Sequence, residues 1–304
     1  MLEIMYYANW YLKSRFLGRK MPLQSVVFIT SRCNLKCRHC AISKATESGL
    51  LEMEDFSFQK VRSLLKECHD AGSRMVTFEG GEPLLWRDGD LTLEDLVLEA
   101  RRMGFVSTSY STNGTLPIPN SKTDRIFVSI DGTRKYHDII RGEGSYDLAV
   151  KNISESKYPH ISVNFVANVF NWECVPEFVE EMVKIKNIRG MSFNFHTPHG
   201  GTEDMFLPWD RRSQVIDWLI SYKKKGYFII NSTEGLRRLR NNKYVQRCWV
   251  TDFVLPDGKR YPYCPGYEEK ICERCGYGMG AEMSAVWDLV PSTIVEGLRL
   301  FSRV

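Results

Sequence analysis

The sequence predicts an α/β fold: a partial (β/α)6 TIM-like barrel followed by a small C-terminal cysteine domain. Two patterns point there. Across residues 24–231, six short β-branched or aromatic runs alternate with helical periodicity, as βαβ units round a parallel sheet do. From residue 232 the alternation stops and a segment rich in Cys, Pro and Gly begins. Six strands are too few to close an eight-stranded barrel, so an open or partial one is expected.

The elements follow in order. Residues 1–23 form a separate N-terminal helix carrying Tyr6, Tyr7, Trp10, Tyr11, Leu12, Phe16 and Leu17, with Lys13, Arg15, Arg19 and Lys20 at its basic end. Such a helix either caps the barrel or lies on a membrane surface. The strands are expected at Ser25–Thr30, Arg74–Phe78, Phe105–Ser111, Arg125–Ile130, Ile161–Val169 and Met191–His196. Helical spacing of Val61, Leu64, Leu65 and Cys68 marks a helix over Phe58–Ala71, stopped at Gly72. Further helices are read at Leu91–Met103, Tyr146–Ser156, Val175–Ile188 and Asp210–Lys225, and a last one near Ser292–Phe301.

Bulk properties narrow the function classes. The net charge of +4 is spread among 41 basic and 37 acidic residues, so no nucleic-acid partner is implied. No run is long and apolar enough to span a bilayer. No secretory signal is recognisable at the start, so a cytoplasmic, thiol-reducing setting is expected. There the nine cysteines read as metal ligands before disulfides. Seven of them cluster: three within residues 33–40 and four within 248–275. Cys68 falls on the apolar side of its helix and reads as core, and Cys174 has no evident role.

Cys33-Asn-Leu-Lys-Cys37-Arg-His-Cys40 directly follows the first strand. Three thiolates on one loop can bind three irons of a cubane cluster, leaving the fourth iron to an outside chelator. The amine and carboxylate of S-adenosylmethionine (SAM) suit that role. Zinc on these thiols and a distant fourth ligand is the structural alternative. The C-x3-C-x2-C spacing, with aromatic His39 before the last cysteine, resembles the signature of the radical SAM superfamily. That resemblance implies a [4Fe–4S] cluster on Cys33, Cys37 and Cys40. It also implies reductive cleavage of SAM to a 5′-deoxyadenosyl radical, the cofactor carrying the hard chemistry.

Motifs after the later strands extend the resemblance over about residues 25–200. Glu79-Gly80-Gly81-Glu82-Pro83 resembles the GGEP motif, whose backbone contacts the SAM amino group. Paired glycines allow a backbone to approach a ligand closely, and Glu82 could accept from an ammonium. Ser111-Thr-Asn113-Gly resembles the common TNG turn. By the same resemblance Ser129 and Arg141 would contact the SAM ribose or carboxylate, with Asp131 a further candidate, and Asn168 near the end of the fifth strand would contact SAM. Arginine's planar fork suits a carboxylate. His196 reads as a substrate contact or a satisfied core histidine.

Cys248 and Cys264 flank Pro256-Asp-Gly258, and Cys272-Glu-Arg-Cys275 follows. This looks like the twitch, or shortened SPASM, extension, which implies one auxiliary [4Fe–4S] cluster on these four. A tetrahedral zinc site that staples a small domain is the other reading of four thiolates. Full SPASM domains carry more cysteines.

The substrate is not written in these motifs. Peptide or protein modification is one reading, as in many SPASM and twitch enzymes. Lipid or isoprenoid modification is the other, because the opening segment and Cys272-x2-Cys275-Gly-Tyr-Gly loosely resemble hopanoid-adenosylating radical SAM proteins. Partners would be a small-molecule, lipid or peptide substrate, a one-electron reductant such as flavodoxin or ferredoxin, and a peripheral membrane contact through the first helix. From another class, the chain could be a non-catalytic iron–sulfur electron carrier or a zinc-stapled binding module. The ordered motif set speaks against that, since a carrier needs no open iron.

Overall fold

Six parallel strands, laid side by side in chain order, build the sheet that positions the site. They are β1 (Gln24–Phe28), β2 (Met75–Glu79), β3 (Ser107–Thr112), β4 (Arg125–Ser129), β5 (Ile161–Ala167) and β6 (Ile188–Phe195). The computed structural model describes residues 2–301. Residue 1 and residues 302–304, the outer ends of the first and last expected segments, lie outside the described residues. The sheet does not close: its order is β6-β5-β4-β3-β2-β1 and then two strands from the C-terminal segment.

Those two strands were not expected. β7 (Thr251–Val254) pairs in parallel with β1, and β8 (Arg260–Tyr261) folds back on β7 as a hairpin. The segment from 232 onward therefore extends the barrel sheet as well as carrying four cysteines. Its remaining pieces are helices α9 (Thr233–Leu239), α10 (Gly278–Trp287) and α11 (Pro291–Phe301).

The other helices are α1 (Leu2–Phe16), α2 (Ala41–Glu47), α3 (Phe58–Asp70), α4 (Leu93–Arg102), α5 (Arg134–Arg141), α6 (Ser145–Glu155), α7 (Val175–Met182) and α8 (Trp209–Lys224). Local chemistry sets their ends. Ser57 caps α3, its hydroxyl accepting from Lys60 N–H, and Val61, Leu64, Leu65 and Cys68 form the buried stripe. At the start of α4 the Asp95 carboxylate accepts from Thr92 N–H at 2.8 Å. Helix α7 stops well short of residue 188, because Lys184 and Ile185 tighten into short turns onto Glu181 and Met182 carbonyls.

Alternate strand residues face opposite ways. Val27, Val76, Phe78, Tyr110, Ile126 and Val128 pack with Val61, Leu64, Leu96 and Val97 of the helices in one core. Each such side chain removed from water is worth about 1.5–3 kcal/mol. The opposite, concave row is half-buried and mostly polar, with Gln24, Thr77, Glu79, Ser109, Ser111, Ser129, Asn164 and Asn194.

Helix α1 packs at the N-terminal ends of the strands. Trp10 is buried against Leu23 and Val250, and the Tyr6 hydroxyl donates to Gly72 O at 3.1 Å. The Trp10, Trp249 and Trp287 rings cluster, Trp287 standing edge-on to the other two. On its other side α1 exposes Met5, Leu12 and Phe16. Among the described residues no helix is long and apolar enough to cross a membrane.

Candidate functional site

Turns at the C-terminal ends of β1 to β4 converge on one cavity of about 380 Å³. Cys33, Cys37, His39 and Cys40 line it from the β1 side. Glu79, Gly80 and Gly81 line it from β2, Ser111, Thr112 and Asn113 from β3, and Ser129 and Arg141 from β4 and α5.

The cysteine loop is held by the turn after β2. Gly81 N–H donates to Thr30 O and Glu82 N–H to Arg32 O, both at 2.8 Å. A Cβ on Gly81 would stand 2.2 Å from Arg32 O, and one on Gly80 would stand 2.6 Å from Thr30 O. Only glycine permits this approach. The paired glycines thus seat the cysteine loop as well as lining the cavity.

Glu82 is fully buried and braces the next turn. Its Oε1 accepts from the Thr112 hydroxyl at 2.8 Å and Leu84 N–H at 3.1 Å, and its Oε2 accepts from Asn113 N–H at 2.7 Å. Three acceptor positions are taken within the protein, which leaves little of this carboxylate for an ammonium. Asn113 passes the bracing on: its Nδ2 donates to Asn34 Oδ1 at 2.9 Å and approaches Cys33 Sγ at 3.9 Å.

Asp131 and Arg141 form a buried pair, Nε donating to Oδ2 at 2.6 Å. The other Asp131 oxygen accepts from Val166 N–H at 2.8 Å. Burial alone would raise this carboxyl, but Arg141, His39 and His137 outweigh it and hold it below the usual carboxylate range. Burial also lowers His39 to about 4, so its ring is neutral near pH 7, with Nδ1 unpartnered. Its ring stands edge-on to His196, whose Nε2 meets the Thr202 hydroxyl at 2.8 Å, so His196 is satisfied within its own loop.

Asn168 is committed to its own turn. Its Oδ1 accepts from Phe170 N–H at 2.9 Å and its Nδ2 donates to Val166 O at 3.2 Å. Glu79 is the cavity group the motif reading passed over. Burial pushes it up to about 7, against the 2.6 Å hydrogen bond that it accepts from Ser111. A carboxylate directly before Gly80-Gly81, at the end of a strand whose alternate residues face the concave side, was the available signal.

All nine cysteines are free. Cys33, Cys37 and Cys40 lie close enough to feel one another's charge, and burial pushes Cys37 up to about 11 while Arg141 opposes it. Cys248, Cys264, Cys272 and Cys275 form a second such group, with burial pushing Cys248 up to about 11 and Cys264 to about 12. Among the described residues, no three His, Cys, Asp or Glu side chains converge on a single-ion position. Thiolates on one zinc sit about 4 Å apart, whereas a cubane spreads its ligands over separate irons. As free thiols, three on one loop and four in the C-terminal segment, both groups fit iron–sulfur ligation by their donor chemistry.

The second group is tied to the barrel mouth through Gly276. Phe195 N–H donates to Gly276 O at 2.9 Å, and Gly276 N–H to the Thr197 hydroxyl at 2.8 Å. Gly278 N–H donates to Asn194 Oδ1 at 2.8 Å. Tyr277 follows Gly276 with its hydroxyl 3.3 Å from His199 Nε2, and Cys264, Cys275 and Glu79 all lie near enough to act on it.

The radical SAM superfamily model matches residues 27–182, just over half of the chain. The chain belongs to the radical SAM superfamily. Fe-coproporphyrin III synthase of Methanosarcina barkeri is 28% identical over 214 residues, covering 65% of this chain and 50% of the relative. A probable GTP 3′,8-cyclase of Methanocella arvoryzae is 31% identical over 243 residues, covering 73% of this chain and 75% of the relative. This radical SAM chain thus spans only half the length of the coproporphyrin synthase. Streptococcus suis SuiB, solved with S-adenosylmethionine, superimposes with a TM-score of 0.64 at 17% identity. That match covers 88% of this chain and 66% of SuiB, and it supports the fold alone. Enzymes of the superfamily use a [4Fe–4S] cluster and SAM, and the four C-terminal cysteines of this chain lie beyond the residues that the superfamily model matches.

Proposed function

We propose that this radical SAM enzyme modifies a polar, hydrogen-bonding substrate of the peptide class, held against the concave face between two cluster sites. Cys33, Cys37 and Cys40 hold the first [4Fe–4S] cluster, and Cys248, Cys264, Cys272 and Cys275 hold an auxiliary one. When bound, the first cluster supplies the electron that breaks the sulfur–C5′ bond of SAM. The chain's own part is positioning. Gly80 and Gly81 present backbone to the SAM amine, Arg141 is aimed by Asp131 at the carboxylate, and Ser129 offers a hydroxyl to the ribose. Glu82 and Asn113 keep the cysteine loop in register. A flavodoxin- or ferredoxin-like protein supplies the electron.

The observation that carries the substrate class is the concave row itself. Thr77, Ser109, Asn164 and Asn194 offer hydroxyls and amides, and Asn194 Nδ2 donates to Asn164 Oδ1 at 2.8 Å. Thr77 and Ser109 share a 2.8 Å hydrogen bond and Asn194 Oδ1 accepts from Gly278 N–H. The donors and acceptors this row has left match a peptide backbone better than a hydrocarbon. The SuiB fold has also been solved with its precursor peptide SuiA.

The test is 5′-deoxyadenosine formation by anaerobic, iron-reconstituted protein with dithionite and SAM. Formation by the wild type and none by a Cys33/Cys37/Cys40 triple-alanine variant is expected. Stimulation by a cellular peptide fraction, and not by a total lipid extract, supports the peptide class. The reverse pattern moves the assignment to a lipid or isoprenoid. Failure of the reconstituted protein to bind SAM overturns the whole reading.

A membrane contact has its own support in α1. Met5, Leu12 and Phe16 share one outward face at helical spacing, with Lys13 and Arg15 on either side. Sedimentation with anionic vesicles, lost in a Leu12→Ser/Phe16→Ser variant, is the expected result; equal sedimentation of both proteins rules it out.

A further inference from the structure

Arg212 occupies a position where a helix normally buries an apolar residue. It shares the inward stripe of α8 with Val215, Ile216 and Leu219, and its side chain is fully buried. Three aromatic rings surround the guanidinium, with centroids 4.5 Å away at Trp209, 4.8 Å at Phe195 and 5.2 Å at Phe206. Nη1 donates to Cys275 O at 2.9 Å, while Nε and Nη2 have no hydrogen-bond partner.

Among the described residues, the titratable groups that act on it are Cys275 and Tyr244, not a carboxylate. Burying an unpaired cation is strongly unfavourable, and aromatic faces offset only part of that. Two orphaned N–H donors on the same group sharpen the point, because buried donors are almost always satisfied. Something anionic and hydrogen-bond accepting belongs beside Arg212. The Tyr244 hydroxyl is also unpartnered, with Cys275, Cys248, Arg212 and Arg238 near it. Both orphaned groups therefore stand near Cys275, and Tyr244 stands near Cys248 as well.

We propose that Arg212 is a positioning residue of the auxiliary site, the buried counter-charge that raises the reduction potential of a cluster on Cys248, Cys264, Cys272 and Cys275. This rests on the auxiliary-cluster reading given above. A cubane on four thiolates is net negative, and becomes more so on reduction; nearby positive charge and hydrogen bonds to its sulfurs favour the reduced form. The guanidinium supplies the charge, and its free donors and the Tyr244 hydroxyl supply the hydrogen bonds. A raised potential makes the site a better electron acceptor, as an oxidation of substrate beside the cavity would require.

The test uses the full chain with Cys33, Cys37 and Cys40 changed to alanine, so that only the auxiliary site can load. After anaerobic reconstitution, iron and zinc are counted and the potential is measured by redox titration with spin-resonance detection. Arg212→Met is expected to hold the same iron but to titrate lower by about 59 mV or more, a tenfold change in a one-electron equilibrium. Arg212→Lys should stay near the parent. An unchanged potential in a fully loaded Arg212→Met overturns the proposal. If Arg212→Met does not load, loading restored by Arg212→Lys but not by Arg212→Gln supports it. Any other loading pattern of those two overturns it. A parent that takes up zinc, or no iron, removes the auxiliary-cluster reading itself, an outcome distinct from an unchanged potential.

Discussion

The Glu82 carboxylate and the Asn113 backbone are joined by a 2.7 Å hydrogen bond across the ends of β2 and β3. Through Asn113 the same contact reaches Asn34 and Cys33 on the cysteine loop. One buried carboxylate thus ties three strand-end turns together. Glu82→Ala leaves the Thr112 hydroxyl and two N–H groups without their acceptor. We expect a loss of about 1–3 kcal/mol in stability per unsatisfied buried group, with weaker SAM binding. Thermal unfolding and equilibrium SAM binding check this, and an unchanged affinity would leave Glu82 a purely structural residue.

Gly81→Ala tests the seating of the loop. Its new Cβ would meet Arg32 O, a backbone atom that can move only by shifting the cysteine loop. The first cluster should fail to assemble while the auxiliary site still loads. Iron content should fall by roughly half if both sites hold cubanes, with far-ultraviolet circular dichroism unchanged. Full iron in this variant would contradict the close approach as the reason for glycine.

The sequence carried the six strands well, because β-branched runs alternating with amphipathic helices are a local signal. Cys33, Cys37 and Cys40 were equally plain, since their chemistry depends on close spacing along the chain. β7 was not, because its four residues pair with β1 more than two hundred positions away, and such a partner leaves no local trace. Glu82 and Asn168 show a different limit. A motif names the residue but cannot say whether its side chain meets the ligand or braces the turn. Arg212 was not singled out from the sequence, because its aromatic surroundings join Phe195 at the end of β6 to Phe206 and Trp209 just before and at the start of α8.

The Asp131–Arg141 pair yields a third prediction. Arg141 lines the cavity with its guanidinium already oriented by a carboxylate that burial makes dependent on it. Arg141→Ala should weaken SAM binding by about 1.5–3 kcal/mol, the worth of a charge-assisted hydrogen bond. It also strands Asp131 without its cation, so stability should fall with it. Asp131→Asn keeps the shape and lets Arg141 swing, so SAM affinity should fall with less loss of stability. Equal SAM affinities in wild type and Arg141→Ala would remove Arg141 from the binding site.

Glu79 supplies a pH dependence whose sign is fixed. Its pKa is raised by burial to about 7 in the folded chain, against about 4.3 for an unperturbed glutamate. The folded protein therefore holds this proton more tightly than the unfolded chain does. The stability that comes from it is fully present below the unfolded value and is lost as pH rises through the folded one. Glu282 lies in the same range for the same reason, burial, and contributes an equal slope to wild type and any Glu79 variant. Their difference isolates Glu79. Between about pH 5 and pH 8 the melting temperature of wild type should fall more steeply than that of Glu79→Gln. SAM carries a positive sulfonium, so its binding beside Glu79 should favour the ionised carboxylate and flatten the wild-type slope toward that of the variant. Parallel slopes in the absence of SAM would show that Glu79 titrates as an ordinary carboxylate, and slopes unaffected by SAM would place the sulfonium away from it.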